Sequence, residues 1–410
     1  MKLIKANYYK IITSVGIILS ILWIIFVNSQ PYSDFSYYNT IAKQVANGGQ
    51  WGDTYTSVGY SIVLGFIYKI FGSGIMIAKA FNVVLTTLSY IILYKLLKHI
   101  SMSEVRRKLI YTLFVLFPCN IFYNSLLGTE ILFTTIFLLI TLLYFSDIRY
   151  KFALIGILAG LNIMIKPLFA VFFLAIFIVE LVSKRKLAKS IKNAVIILIV
   201  SMIVVAPWCY RNTKLIGETT FISNNSGIVL YINNNSQNKL GRWMAAADVE
   251  NSIVNKKEYK ESNATEKSKM LSTAAKKWII GHPAQFAQLG FKRLLNTYLV
   301  PDDINFTFYQ AGLSNGVEYI LLSIYSLIKY IIFIPAILII LILSVRTIKD
   351  LIKKRKIESF QIYGLICFYM FSCTYFVTEG QGRYSFPVIF IIIYFFTYVF
   401  DIKASQDKLS

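Results

Sequence analysis

Residues 152–182 read FALIGILAGLNIMIKPLFAVFFLAIFIVELV, an apolar run of 31 residues interrupted near its middle by Lys166-Pro167. One helix needs about 20 apolar residues to cross a bilayer, so the run is too long for a single straight span. Arg149 and Lys151 precede it and a cluster of Lys and Arg at 184–192 follows it. A run that begins and ends at basic gaps has to cross an even number of times. It is read as a helical hairpin, two spans that turn at Lys166-Pro167 near the outer face.

The same alternation of apolar run and basic gap continues in both directions. Of 410 residues, 56% are hydrophobic and 15% charged, with a mean hydropathy of +0.60, whereas soluble domains carry about 25% charged residues. This composition excludes a cytosolic enzyme, a disulfide-rich secreted module and a disordered scaffold. A net charge of +22 would point to nucleic acid in a soluble chain, but the positions of the charges argue otherwise. Of the 42 Lys and Arg, 23 fall in short polar gaps at 2–10, 95–108, 149–151, 184–192, 346–356 and 403–408. The gaps at 29–57, 127–130 and 377–385 hold only Lys43 and Arg383. Short basic loops stay on the cytoplasmic side, so the basicity reports orientation, and no nucleic acid is expected as a partner.

With the basic gaps inside, span 1 covers 11–28 and an outer loop covers 29–57. A juxtamembrane or re-entrant helix at 58–72 follows, then span 2 at 75–97, span 3 at 109–126 and span 4 at 130–146. The hairpin supplies spans 5 and 6, span 7 covers 193–210, and spans 8, 9 and 10 cover 317–344, 358–377 and 385–400. The expected fold is all-α, a polytopic membrane bundle of about ten transmembrane helices with outer juxtamembrane helices. Three parts result: an N-terminal transmembrane module at 1–210, an outer loop at 211–316 and a C-terminal transmembrane module at 317–410. A plasma-membrane location with both termini cytoplasmic is expected. The first apolar run is followed by Asn28-Ser29-Gln30-Pro31 with no small-residue cleavage pattern, so it is read as a span and not a signal peptide.

The outer stretch carries 13 Lys and Arg, which is compatible because long loops translocate largely regardless of charge. Asn263 and Glu266 form a variant capping box opening a helix to about Ile280, and Pro283 suits the first position of a second helix. Ala287, Phe291, Leu294, Leu295 and Tyr298 share one face of that second helix, which is expected to lie flat on the outer leaflet. Cys119, Cys209, Cys367 and Cys373 have no ligand-type spacing and are read as packing residues.

Six ionisable residues fall on the outer side by this topology. Asp34, in Pro31-Tyr-Ser-Asp34, is either the cap of a helix or a carboxylate available as a general base. Glu130, in Gly128-Thr-Glu130, suits a helix N-terminus as well as a site. Lys166 sits within a hairpin, where an ammonium costs about 2.5–3.5 kcal/mol at mid-bilayer, unless it snorkels to the headgroups. Arg211 follows Pro207-Trp208, and Glu379, Arg383 and Tyr384 lie in Glu379-Gly-Gln-Gly-Arg383-Tyr384, where glycines allow close backbone approach to a ligand. Arg383 is either a phosphate clamp or a lipid anchor. Tyr37, Tyr38, Trp51 and Tyr60 are suited both to stacking on sugar rings and to interfacial girdling. Convergence of acids and cations on one side favours one site over six separate explanations.

On these residues the sequence resembles the GT-C superfamily of integral-membrane glycosyltransferases, in the branch of aminoarabinose transferases and protein mannosyltransferase relatives. The resemblance rests on Pro31-Tyr-Ser-Asp34 with Tyr38 and Ala42, on Gly59-Tyr60 opening a helix that ends Phe71-Gly72, and on Thr129-Glu130. It continues in Gly156-Ile-Leu-Ala-Gly160-Leu-Asn-Ile-Met-Ile-Lys166-Pro167, in Pro207-Trp208-Cys-Tyr-Arg211-Asn212 and in Arg383-Tyr384-Ser-Phe-Pro387. It covers residues 1 to about 235 and 358–400. The chain departs from protein mannosyltransferases at Asp34-Phe35, where those carry an Asp-Glu pair, and has Val58 where a proline is common. The resemblance implies inverting transfer of a sugar from a polyprenyl-phosphate donor to an acceptor on the outer face, the acceptor being a glycan, a lipid or a protein. It implies Asp34 as the base, with Glu130 beside it, and Lys166, Arg211 and Arg383 at the donor phosphate. Tyr37, Tyr38, Tyr60, Glu379 and Tyr384 are expected to line the substrate. No cofactor is expected, although two outer carboxylates could hold a divalent cation. The rival class is a lipid or sugar transporter or flippase, whose usual signs are repeat symmetry and ionisable residues at the midplane.

Overall fold

The computed structural model describes residues 2–400, all of whose regular structure is helical. The N-terminal part runs α1 (Lys2–Phe26), α2 (Asp34–Ala46), α3 (Gly59–Phe71), α4 (Ile75–His99), α5 (Glu104–Val115), α6 (Pro118–Phe122), α7 (Thr129–Phe145), α8 (Lys151–Ile165), α9 (Phe172–Lys184) and α10 (Leu187–Ile216). The outer stretch adds α11 (Ser226–Asn233), α12 (Lys257–Glu261), α13 (Ala264–Gly281) and α14 (Pro283–Tyr298). The chain finishes with α15 (Asn315–Ile352), α16 (Ser359–Val377) and α17 (Ile389–Phe396). The basic gap at 403–408 lies outside the described residues.

The protein is an all-α, multi-pass membrane bundle. Among the described residues, seven helical segments are long and apolar enough to cross a membrane: Asn7–Phe26, Ile75–His99, Pro167–Lys184, Leu187–Ile216, Asn315–Ile352, Ser359–Val377 and Gly382–Phe400. Three apolar helices are shorter, α3, α7 and α8. At 1.5 Å rise per residue α7 and α8 reach about 26 and 23 Å, so they account for spans 4 and 5 only as short crossings. The expected span 3 at 109–126 is broken. Helix α5 stops at Val115, Phe117 is extended (φ −65°, ψ 125°) ahead of Pro118, and α6 passes into a 3₁₀ turn at Tyr123–Ser125. A proline has no N–H for the preceding turn and drives the residue before it out of the helical region.

Polar contacts group the basic gaps at one end. Arg106 Nε donates to Thr397 Oγ1 at 2.8 Å and its guanidinium lies 3.9 Å over Tyr398. Tyr394 in turn donates to Glu358. Buried Glu180 accepts from Tyr144, Lys184 and Asn193, which draws together the gaps at 149–151 and 184–192. Glu130, Lys166 and Arg383 lie at the opposite ends of their helices, and Asp34, at the start of α2, joins them through Arg383.

Close packing is set by small residues. A Cβ on Gly156 or Gly160 of α8 would meet Val200 or Val204 of α10 at 2.8 and 2.6 Å, so the pair lets two helices approach as small-residue stripes do in membranes. In the outer stretch, Tyr231, Ile232, Val249, Leu271 and Ala275 form a small second core. The capping box opens α13 as expected, Asn263 accepting from Glu266 N while Glu266 accepts from Asn263 N, both at 2.9 Å. Helix α14 packs on the protein through a face that its apolar pattern did not mark. Leu289, Gly290, Arg293, Thr297 and Tyr298 point inward, whereas Phe291 and Leu295 are 64% and 54% exposed. The inward face is fixed by Arg293, which finds carbonyl acceptors in the bundle.

Candidate active site

Asp34 opens α2, but it does not cap it. The cap position is taken by Ser33, held at φ 50°, and no side chain bonds the first turn. A residue with a Cβ seldom adopts positive φ, and such strain clusters at functional sites. The carboxylate is free for a tertiary partner, and Asp34 Oδ2 accepts from Arg383 Nη2 at 3.1 Å. Asp34 is 55% exposed and Arg383 only 12%. The guanidinium lies 5.5 Å from the rings of Phe35, Phe306 and Tyr384, so aromatic faces hold it where it meets Asp34.

The second pair is deeper. Glu130, at the first turn of α7, accepts from Lys166 Nζ at 3.1 Å, and the two side chains are 2% and 13% exposed. Lys166 stands where α8 ends, extended at φ −136° and ψ 103° before Pro167; this is the conformation a following proline imposes. The first outer loop docks on that break. Ser57 donates to Ile165 O at 2.9 Å, and Gly59 packs so closely on Met164 that a Cβ would lie 2.6 Å from its carbonyl carbon.

One aromatic residue joins the two pairs. Lys166 Nζ and the Arg383 guanidinium each lie 5.5 Å from the Tyr384 ring, which stacks on Tyr375 at 5.2 Å. Tyr384 donates to Glu379 Oε2 at 2.8 Å, and Gln381 donates to the other oxygen at 2.7 Å. Tyr38 packs edge-on against Tyr60 at 5.9 Å and Tyr37 against Tyr38 at 6.5 Å. Burial, with a hydrogen bond to Asp53, pushes the Tyr37 phenol well above its ordinary pKa. Burial and the Asp34 charge do the same for Tyr38. Four buried polar atoms here lack partners: Glu130 Oε2, Arg383 Nε, Gln381 Oε1 and the Tyr60 hydroxyl. Buried polar groups are normally paired, so these atoms keep unused hydrogen-bonding capacity.

Arg211 is placed differently. Its guanidinium donates to Gly52 O, to Asp53 O at 3.3 Å and to Asn212 Oδ1 at 2.9 Å, and lies 4.5 Å over Trp208. Tyr37 reaches the same turn through Asp53 Oδ1 at 2.7 Å. Arg211 therefore braces the far side of the first outer loop, and no direct contact joins it to Lys166 or Arg383 among the described residues. Nor does any group of three or more His, Cys, Asp or Glu come together as a metal-type cluster among them.

Sequence reading passed over two supports of this site. Asp303, 2% exposed, accepts from Lys329 at 3.2 Å and from Tyr123 and Cys119 at 3.2 and 3.3 Å. Tyr325 also donates to it, at 2.8 Å. A Cβ on Gly382 would lie 2.8 Å from Asp303 Oδ1, so this network is the floor beneath Arg383. A lysine inside the apolar run 317–344 was a readable signal of it. The other support is Arg293, fully buried, which donates to Phe376 O at 2.6 Å, Val377 O at 3.2 Å, Asn234 Oδ1 at 3.0 Å and Asn233 O. Burial lowers its pKa to about 10, against the opposing pull of Glu379. Nothing in the amphipathic pattern of α14 distinguished that arginine from a solvated one.

Among solved structures, the oligosaccharyltransferase of Archaeoglobus fulgidus tethered with an acceptor peptide containing the NVT sequon matches at TM-score 0.54 and 12% identity, covering 100% of this chain and 52% of that one. The archaeal oligosaccharyltransferase AglB from the same organism, in complex with an inhibitory peptide and a dolichol-phosphate, matches at TM-score 0.51 and 11% identity over 99% of this chain and 52% of that one. ArnT from Cupriavidus metallidurans bound to undecaprenyl phosphate stands at TM-score 0.46 and 12% identity over 95% and 78% of the two chains. The chain thus spans about half the length of the oligosaccharyltransferases and shares their fold over that half. No family model and no curated protein matches the sequence.

Proposed function

We propose that this protein is a membrane glycosyltransferase that moves a sugar from a polyprenyl-phosphate carrier to an acceptor on the outer face, with inversion. The observation that carries the reading is the meeting of Asp34–Arg383 and Glu130–Lys166 around Tyr384. The shared fold with an oligosaccharyltransferase seen in complex with a dolichol-phosphate supports it. In the proposed reaction an acceptor hydroxyl or amine attacks the anomeric carbon while its proton passes to an Asp34 oxygen. The bond from the anomeric carbon to the phosphate oxygen breaks, and the phosphate leaves with both electrons.

Lys166 and Arg383 are the cations in this proposal that stabilise the departing charge. Arg383 uses Nη2 on Asp34 and keeps Nε free, and a guanidinium with five donors can hold a carboxylate and a phosphate together. In this proposal the Glu130 oxygen and the Tyr60 hydroxyl, neither of which has a protein partner, meet sugar hydroxyls, and Tyr37, Tyr38, Glu379 and Tyr384 line the substrate. Arg211 enters this scheme as the brace of the first outer loop, reaching phosphate only by releasing Gly52 and Asp53.

The test is binding of polyprenyl phosphate to the purified full-length protein. Replacing Lys166 or Arg383 by Met keeps the apolar stem and removes a charged hydrogen bond worth about 1.5–3 kcal/mol, so affinity is expected to fall roughly ten-fold to a hundred-fold. Unchanged affinity in both variants would remove the donor site. Transport of the lipid without any transfer would return the rival flippase reading.

A further inference from the structure

At the basic end of the bundle, opposite the acid–cation cluster, a cavity of about 470 Å³ opens between α1 and α4. It is lined by Tyr9, Lys10, Thr13, Ser14, Ile91, Tyr94 and Tyr111. The two helices are antiparallel and close, since a Cβ on Gly16 would lie 3.0 Å from the Tyr90 ring. Lys10 and Ser14 sit one turn apart on the exposed face of α1, and neither makes a hydrogen bond or ion pair within the described residues. On α4, Lys98 lies 4.2 Å over the Tyr94 ring, with Lys95 exposed one turn away.

Glu104, the acid that meets the lining residue Tyr9, is already engaged. Glu104 accepts from Tyr9 at 2.9 Å and from Arg107, and lies 3.9 Å from Lys108. The rim of the cavity is therefore positive and uncompensated. Away from the rim the same helix faces turn apolar: Ile18 on α1 is 54% exposed, and Leu88 and Val84 on α4 are 43% and 56% exposed. A groove between two spans, cationic at the headgroup end and apolar along the hydrocarbon, has the chemistry of one lipid molecule with a negative head.

A second cavity at the same end provides the contrast. It measures about 400 Å³ and lies between α15 and α16. There the lining cations Arg346 and Lys356 are matched in number by the acids Asp350 and Glu358, Arg346 pairing with Asp350 at 3.7 Å, so its lining charges cancel.

We propose that the groove between α1 and α4 binds an anionic phospholipid, its phosphate held by Lys10, Ser14 and Lys98 and an acyl chain lying along Ile18, Leu88 and Val84. Tyr94 and Tyr111 floor the headgroup end, and the Lys98–Tyr94 contact holds that ammonium at the rim. The ligand is a structural lipid of the bilayer, distinct from a sugar donor, and its site stands whether or not the opposite end transfers sugar.

The test uses full-length protein in detergent, titrated with dioleoyl phosphatidylglycerol or dioleoyl phosphatidylcholine and read by native mass spectrometry. One phosphatidylglycerol is expected to stay bound at a concentration about ten-fold or more below that needed for phosphatidylcholine. The double variant Lys10→Gln/Lys98→Gln should weaken phosphatidylglycerol about ten-fold and leave phosphatidylcholine unchanged. A control, Lys353→Gln/Lys354→Gln, removes two exposed charges from another basic gap and should leave the preference intact. All four lysines are exposed, and an unchanged melting temperature in phosphatidylcholine alone verifies the fold. Equal binding of the two lipids, an unaltered preference in the first variant, or the same loss in both variants would overturn the proposal. Full competition by soluble glycerol phosphate would also overturn it, because the acyl groove would then contribute nothing.

Discussion

Asp34 and Glu130 both stand at the first turn of a helix, where a carboxylate is favoured by the dipole, yet each meets a cation from a distant segment. Glu130 is the more buried of the two, so removing Lys166 leaves an uncompensated charge, which costs about 3–5 kcal/mol in a protein interior. Asp34 is more than half exposed and its loss should cost little stability. Asp34→Asn is therefore expected to keep folding and polyprenyl-phosphate binding nearly intact while cutting transfer about 100-fold to 10,000-fold, the range for a general base. Near-normal turnover, measured on membranes carrying the endogenous donor and acceptor, would reduce Asp34 to an anchor for Arg383. Tyr37 and Tyr38 do not compete for the role of base at neutral pH. Their raised pKa values mean that protonated phenols stabilise the fold below pH about 10, a contribution lost only as pH rises further.

At the scale of elements, the loop carrying Glu379, Arg383 and Tyr384 is held from outside by α14. Gly380 packs directly on the backbone of Arg293, whose guanidinium donates to two carbonyls at the end of α16 and to two groups at the end of α11. Its lowered pKa, about 10, means that folding disfavours the charged form. That relief is complete only above the ordinary arginine value and disappears as pH falls through about 10, so at neutral pH the carbonyl acceptors offset a desolvation cost. Arg293→Met should leave those carbonyls unpaired, destabilise the protein by about 3 kcal/mol and speed hydrogen exchange of amides 377–384. Arg293→Lys should restore only part of the protection, because an ammonium cannot reproduce the guanidinium fork. Unchanged exchange in that loop would detach the outer layer from the site.

For the whole molecule, the consequence is a sidedness. Ser36 lies two residues from Asp34, while Ser103 precedes Arg106 and Ser359 follows Glu358, both at the basic end. Single cysteines at Ser36 and Gln237 are expected to react with an impermeant thiol reagent from outside intact cells. Those at Ser103 and Ser359 should react only after the membrane is opened. The background should lack Cys209 and Cys373, which are not buried. Labelling of Ser103→Cys in intact cells would invert or break the topology.

Apolar runs, basic gaps, the Asn263 capping box and the Lys166-Pro167 break were readable in the sequence because each depends on a few neighbouring residues and on the bilayer. The all-α membrane bundle follows from those local properties, as does the presence of acids and cations at the end away from the basic gaps. Pro118 shows where local reading was incomplete: the proline was visible, but not that the segment from Glu104 to Ser125 would be broken there into α5 and α6. Partnership was decided only by tertiary structure. Arg383 meets a carboxylate 349 positions earlier, Arg211 braces a loop, and Arg293 turns inward. A charged side chain in a membrane protein settles on whichever acceptor the neighbouring helix ends present. Those neighbours are set by close contacts such as Gly156 and Gly160 against Val200 and Val204, which no local pattern specifies.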